Sequence, residues 1–309
     1  MVQEDLISDL EVLDYLELFN STVDCARLLG ISQSSCSRRY RNFSERFGLE
    51  FDRIADRYQP TSNFDVLHGL RQASQKLRVR QGQPRHCLGW QLGELPLNVF
   101  ESFGKVLPIR PMNSWRVLSM LEQRLVDVSI MGVMEFQGLL GHPLQRLRAR
   151  RMQLSQTMMC LPIGRWELRV MAHHQHPLQG RNDITPEDLA QYPSPALPLG
   201  SAPLLMGALQ SHGLASQTRG LSDYSEELWE GFAGDGIGLS YAAPNQIRNL
   251  GVKYQLRPLD YALGIQEYIG IVGHRDVLSD SSFPVLFKHY MNQLQLVLGP
   301  YSSSIHWLS

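Results

Sequence analysis

The run ISQSSCSRRYRNFSERFG, residues 31–48, decides how the rest of the chain is read. Ser32 is a residue type that caps a helix, because its side-chain oxygen accepts from the free N–H groups of the first turn. Gly48 tolerates the left-handed backbone that closes one. Between them Cys36, Tyr40, Phe43 and Phe47 recur at spacings of four, three and four, which predicts one buried helical face. Ser34, Arg38 and Arg41 recur at four and three and form a second face, polar and cationic.

Upstream, Leu6, Leu10, Leu13 and Leu16 predict an amphipathic helix with its acids on the opposite side. Asn20-Ser21 stops it, and Ser21 is placed to cap a short helix over residues 22–29 whose inner face is Cys25, Ala26 and Leu29. Gly30 ends that helix. Two helices joined by a short glycine turn, the second opening with hydroxyl, amide and arginine side chains, make the helix-turn-helix plan. Such a second helix enters the major groove of DNA N-terminus first. Downstream, residues 52–61 read as a β-hairpin wing, with Arg53 and Arg57 available to the phosphate backbone or minor groove. Thr61-Ser62 is expected to cap a helix carrying Phe64, Leu67, Leu70 and Leu77 along one side, ending near the linker-like residues 80–84.

A chain of 309 residues exceeds one compact core, so two or three folded units are expected. Hydrophobic residues at 43% and charged residues at 19% fit a globular protein, and no apolar run is long enough to span a bilayer. The acidic N-terminus lacks the basic region of a signal peptide, which points to the cytoplasm. Net charge is −1, yet every charge in residues 1–24 is acidic and every charge from Arg27 to Arg41 is basic (Arg27, Arg38, Arg39, Arg41). A nucleic-acid surface needs only the local excess. The four cysteines, Cys25, Cys36, Cys87 and Cys160, have no paired spacing and read as small packed residues.

Beyond Pro84 strands and helices alternate. Strands are expected at residues 86–90, 126–131, 168–172 and 268–272, and helices at 97–103, after Ser114, after Thr185-Pro186, and over 282–298. His173, His174 and His176 sit in a polar turn without the spacing of a metal site, so none is expected. Gly234, Gly236 and Gly238 mimic a dinucleotide fingerprint but lack its acid and its helix, and read as a tight turn. No nucleophile elbow, Walker loop or acid–base pair is visible, so no enzyme and no cofactor are expected.

Residues 31–38 with Phe47-Gly48-Leu49-Glu50-Phe51 resemble the helix-turn-helix of LysR-type transcriptional regulators, in which "V/I-S-Q-S-x-x-S-R" opens the recognition helix and "L-G-x-x-L-F-x-R" leads into the wing. Residues 125–130 resemble the family's "L-D-L-A-I" strand. His176-Pro177-Leu178 with residues 184–189 resembles its "H-P-L-A" and "T-x-x-D-L" signals, and residues 234–239 with Pro244 its glycine turn. Departures are Cys25-Ala26 for two alanines, Phe43-Ser44 for Leu-Glu, and an irregular stretch over residues 92–109. The resemblance implies an α/β protein with a winged helix-turn-helix over residues 1–61, a dimerising linker helix over 62–84, and a two-lobed periplasmic-binding-type effector domain over 85–309. Lobe I would comprise 85–165 and 266–309, and lobe II 166–265. It gives Ser32, Gln33, Ser34, Ser37, Arg38 and Arg41, with Arg53 and Arg57 of the wing, a DNA-contacting role. It gives Ser114, Trp115, Ser129, Met131 and Ser201 to a small-molecule effector, with Ser114 at a helix N-terminus suited to an anion such as a carboxylate. Implied partners are double-stranded promoter DNA, further copies of the chain in a homodimer or homotetramer, and RNA polymerase, with no membrane. The alternative is a DNA-binding assembly protein whose second half no longer senses a ligand.

Overall fold

The computed structural model describes residues 2–54, 57–93, 98–140 and 152–308, and these form two compact units. Met1–Gln81 with Gln123–Leu125 make the first, and Gly82–Glu122 with Val126–Ser309 the second. Among the described residues no helix is long and apolar enough to cross a membrane.

The first unit opens with α1 (Val2–Phe19), α2 (Thr22–Leu29) and α3 (Gln33–Phe47). Ser21 and Ser32 cap α2 and α3 by accepting from Asp24 N and Ser35 N, and Gly30 and Gly48 close them in left-handed backbone. Strands β1 (Phe51–Ile54) and β2 (Arg57–Pro60) pair antiparallel, giving the expected hairpin. Helix α4 (Phe64–Arg80) follows. Leu10 and Leu13 of α1, Phe43 of α3, Leu49 and Leu67 of α4 form the core, with Tyr40, Phe47, Phe51 and Leu70 packed on it.

Two expectations change here. The acids of α1 do not all face outward: Asp14 is fully buried, because Arg71 of α4 reaches in to bond Asp14 Oδ1 at 2.8 Å and Glu17 Oε2 at 2.6 Å. Ser62 does not cap α4 either; its hydroxyl accepts from Glu50 N and donates to Gly48 O. Asn63 occupies the N-cap position with φ at +48° and no side-chain cap, because its amide is turned back onto Phe47 O and Gly48 O. On α4 Leu67 is buried, whereas Phe64, Val66 and Leu77 stand exposed.

In the second unit β3 (Arg85–Leu88), β4 (Lys105–Val106), β5 (Val128–Gly132), β6 (Met152–Gln153), β7 (Met158–Glu167), β13 (Gln266–His274) and β14 (Ile305–Trp307) form a seven-stranded sheet. Its order is β14-β7-β13-β5-β3-β4, with β6 beside β7. β3 runs parallel to β4 and β5, and β13 antiparallel to β5 and β7. Every residue of β5 is buried, as a central strand covered on both faces requires. A smaller sheet joins β8 (Arg169–His173) to β11 (Leu239–Ala242) and β12 (Leu256–Pro258), and a third pairs β9 (Pro195–Ala196) with β10 (Gln217–Thr218). The chain passes between the larger and smaller sheets at Leu168 and again before β13, and Leu168 N donates to Ile265 O where the two passages meet.

The helices of this unit are α5 (Asn98–Glu101), α6 (Ser114–Glu122), α7 (Pro186–Leu189), α8 (Pro203–Gln210), α9 (Ile247–Tyr254), α10 (Arg275–Leu278) and α11 (Phe283–Leu298). Thr185 and Asp188 form the reciprocal capping pair that starts α7. Ser114 is the first helical residue of α6 rather than its cap. Asn113 Oδ1 takes the free Trp115 and Arg116 N–H groups instead. The helix expected over residues 97–103 is the single turn of α5, and Leu97 lies outside the described residues.

Candidate nucleic-acid interface and ligand cleft

The outward edge of α3 carries Ser34, Arg38 and Arg41, all exposed, while Cys36 and Phe43 anchor the opposite side at 0% and 2% exposure. Ser37 is half-buried beside Arg38. Ser32 and Gln33 do structural duty as well. Ser32 Oγ bonds the hydroxyls of Ser34 and Ser35, and Gln33 Nε2 donates to Thr22 Oγ1 at 3.0 Å, which clamps the turn between α2 and α3. The basic run divides: Arg27 pairs with Asp24, and Arg39 turns back to Asp9 and Ser8 on α1. Arg38 and Arg41 form no ion pair with another described residue, which leaves their charge for a polyanion.

The hairpin is fixed to this helix. Tyr40 meets Phe51 and Tyr58 edge-on at 5.7 and 6.5 Å, and Tyr58 N donates to Asn20 Oδ1 at 3.0 Å. Arg53 is exposed on β1, opposite Tyr58. Arg57 begins β2, and its side chain lies outside the described residues.

In the second unit a cavity lies where the two sheets approach. Glu267 of β13 lines it from the larger sheet and Tyr241 of β11 from the smaller one, with Trp90 and Gln91 from the turn after β3, Gln246 from the residue before α9, and Trp229 and Glu230 from the segment before β11. It holds about 20 Å³, room for roughly one water. Glu230 accepts from Gln246 Nε2 at 2.6 Å and from Tyr224 OH at 2.9 Å. Burial pushes the carboxyls of Glu230 and Glu267 up to about 8, so both are held protonated at neutral pH.

None of the five sequence-derived effector residues lines this cavity. Ser129 is fully buried and spends its hydroxyl on Cys87 O at 2.8 Å, and Met131 is buried in β5 opposite Gly270. Trp115 is 40% exposed and stacks edge-on against Phe136. Ser201 sits buried in the turn before α8, its N–H bonded to Pro198 O. Ser114 is 1% exposed, its hydroxyl unpaired among the described residues. The segment before α6 is covered, since Met112 N donates to Ser222 O and Tyr224 N to Arg110 O, closing a bridge between Pro111 and Asp223. The free N–H groups at the start of α8 are taken from within: Glu135 accepts from Leu204 N at 3.0 Å and Leu205 N at 2.9 Å.

Glu135, Glu230 and Glu267 are the residues that the sequence reading passed over. The available signal was an acid inside an apolar strand, Glu267 between Gln266 and Tyr268-Ile269. Of the three neighbouring histidines, His176 is buried with Nε2 near Ile237 O at 3.2 Å, and among the described residues no cluster of three metal-ligating side chains occurs.

No protein-family model and no curated protein matches the sequence. Solved structures match over almost its whole length. A probable transcriptional regulator from Pseudomonas aeruginosa is 15% identical, covering 93% of this chain and 95% of its own at a TM-score of 0.55. A cysteine-substituted full-length OxyR from Pseudomonas aeruginosa is 14% identical, with 94% of each chain covered and a TM-score of 0.52. A hydrogen peroxide-bound OxyR mutant from Corynebacterium glutamicum is 15% identical, covering 95% of this chain and 92% of its own at 0.51. At these identities the likeness is one of fold, from the N-terminal helices through the sheet-rich second part.

Proposed function

We propose that this chain is a sequence-specific, DNA-binding transcriptional regulator of the LysR type, controlled by a small molecule bound between the two sheets of its second unit. The observation that carries the first half is the exposed edge of α3, where Ser34, Arg38 and Arg41 lie clear of the aromatic anchor. Arginine donates two parallel hydrogen bonds to guanine in the major groove, and glutamine pairs with the edge of adenine. Arg38 and Gln33 are assigned to base edges, and Arg41 with the wing arginines Arg53 and Arg57 to phosphate.

Helix α4 is assigned to pairing with a second copy, which sets the distance between two half-sites. Val66 and Leu77 are exposed and eleven residues apart, close to three helical turns, so they share one outward face. The effector acts through differential affinity for two arrangements of the assembly, and so changes contacts with DNA or polymerase.

Thiol sensing of peroxide does not suit this chain. All four cysteines are free and buried, and burial raises the thiols of Cys25, Cys87 and Cys160. A raised thiol holds little of the reactive thiolate at neutral pH. The smallness of the cavity supports a second reading, an assembly protein whose second unit senses nothing. A ligand-dependent rise in melting temperature separates the two.

The test of DNA reading is Arg38→Ala. Specific operator binding should fall by about 5- to 150-fold, since a bidentate base contact is worth about 1–3 kcal/mol, with circular dichroism unchanged. An unaltered gel-shift affinity at moderate salt would remove α3 from the interface.

A further inference from the structure

The described residues around the cavity of the second unit are acidic and aromatic, with no cation among them. Glu267 is 2% exposed, and its Oε1 has no hydrogen-bond partner among the described residues. The position is built for that carboxyl, since a Cβ on Gly132 would collide with Glu267 Oε1 and with the Gln91 amide. Trp90 stands edge-on to Trp229 at 5.5 Å, and Trp229 to Tyr241 at 5.7 Å, so three ring systems border the same space. Among the described residues no lysine, arginine or histidine lines it.

These facts exclude the ligand classes one by one. An anion would find no compensating positive charge among the described lining residues, and the nearby start of α8 already has Glu135 on its N–H groups. A metal ion would need several anionic ligands converging, and no group of three is present among the described residues. A bulky apolar ligand exceeds the space of about 20 Å³. A nitrogen with one positive charge is about the size of a water, pairs with a carboxylate, and is attracted to tryptophan rings.

We propose, building on the effector reading above, that this pocket binds the primary ammonium group of a small amine, with the nitrogen donating to Glu267 Oε1 and its charge set against the Trp90 and Trp229 rings. Binding replaces a proton. The carboxylic acid of Glu267 loses its proton to solvent, and the ammonium takes its place as the partner of the carboxylate. The buried pocket keeps its net charge, avoiding the cost of an isolated ion in a low-dielectric interior. Because that carboxyl is raised to about 8, cation and proton compete. Affinity therefore rises about tenfold per pH unit up to about pH 8, while alkylamines remain protonated below about pH 10.

The experiment uses the full chain with methylammonium chloride, sodium chloride and sodium acetate at equal ionic strength, reading melting temperature and calorimetric heat. Methylammonium alone should raise the melting temperature, more at pH 8 than at pH 6.5. Glu267→Gln, neutral and of equal shape, should abolish the response while the unliganded variant stays folded. Calorimetry of the unmodified chain in two buffers of different ionisation heat should show about one proton released per cation at pH 7, a readout independent of the variant. A response to acetate alone would end the amine assignment and keep the effector reading. Silence toward both salts would end the amine assignment, while the effector reading would stand or fall on the wider melting-temperature test. Methylammonium binding that persists in Glu267→Gln, or that releases no proton, would also overturn the site.

Discussion

Arg71 reaches two carboxylates from within the helical unit, and its own side chain is 3% exposed. Burial pushes the Glu17 carboxyl up while the guanidinium opposes that shift, so the three charges depend on one another. Arg71→Ala should cost roughly 3–5 kcal/mol, because it leaves buried carboxylates uncompensated. Replacing Asp14, Glu17 and Arg71 together by Leu, Leu and Met should be close to neutral in a urea titration. A second residue-scale test is pH. Burial holds the His86 ring near 4, below its usual 6.5, with Tyr290 OH 2.8 Å from Nδ1. The unfolded chain therefore binds more protons between those values, and this contribution is lost as the pH falls from 6.5 to 4. Glu230 and Glu267 run the other way. Raised from 4.5 to about 8, they stabilise the fold fully below the lower value and lose that contribution as the pH climbs to the upper one. Melting temperature should accordingly drop between pH 6.5 and 8.5, and Glu267→Gln should remove part of the drop.

At the scale of elements, the junction between α3, the hairpin and α4 rests on Asn63. Its backbone is left-handed and its amide holds two carbonyls at the end of α3. Asn63→Ala should cost about 1–3 kcal/mol, from two lost hydrogen bonds and a strained φ. Asn63→Gly should cost less, since only the bonds are lost; chemical denaturation of both variants checks the order. The helices α2 and α3 were legible because their signals are local: a hydroxyl cap, a 3.6-residue repeat and a closing glycine each act within a few residues. Ser62 misled for the same reason. A serine before a helix looks like a cap, and only its neighbour across the chain, Glu50, shows where the hydroxyl goes. Asp14 was hidden because the residue that buries it stands fifty-seven positions away. The cavity was illegible for an extreme form of that reason, since Trp90, Trp229 and Glu267 meet only through the crossing of two sheets. The serines carried over by resemblance name positions, and here the walls are made by other side chains.

For the molecule as a whole, a net charge of −1 conceals a cationic edge, so DNA affinity should fall steeply with salt. Arg41→Ala should reduce the slope of log affinity against log salt by about one, with sequence preference retained. Assembly has its own test. Leu77→Glu places a charge on the exposed face of α4, and sedimentation should show a loss of dimer and with it weaker binding to paired half-sites. The bridge between residues 110–112 and 222–224 bears on timing. Two backbone hydrogen bonds, Met112 to Ser222 and Tyr224 to Arg110, tie the segment before α6 to the segment that follows β10. If entry to the cavity requires that tie to open, the arrival rate of a small molecule should level off as its concentration grows, paced by the protein and no longer by diffusion, and stopped-flow binding measures this. A tie that re-formed behind such an entrant would slow its departure too, and the protein would then keep a record of its last encounter for longer than affinity alone requires.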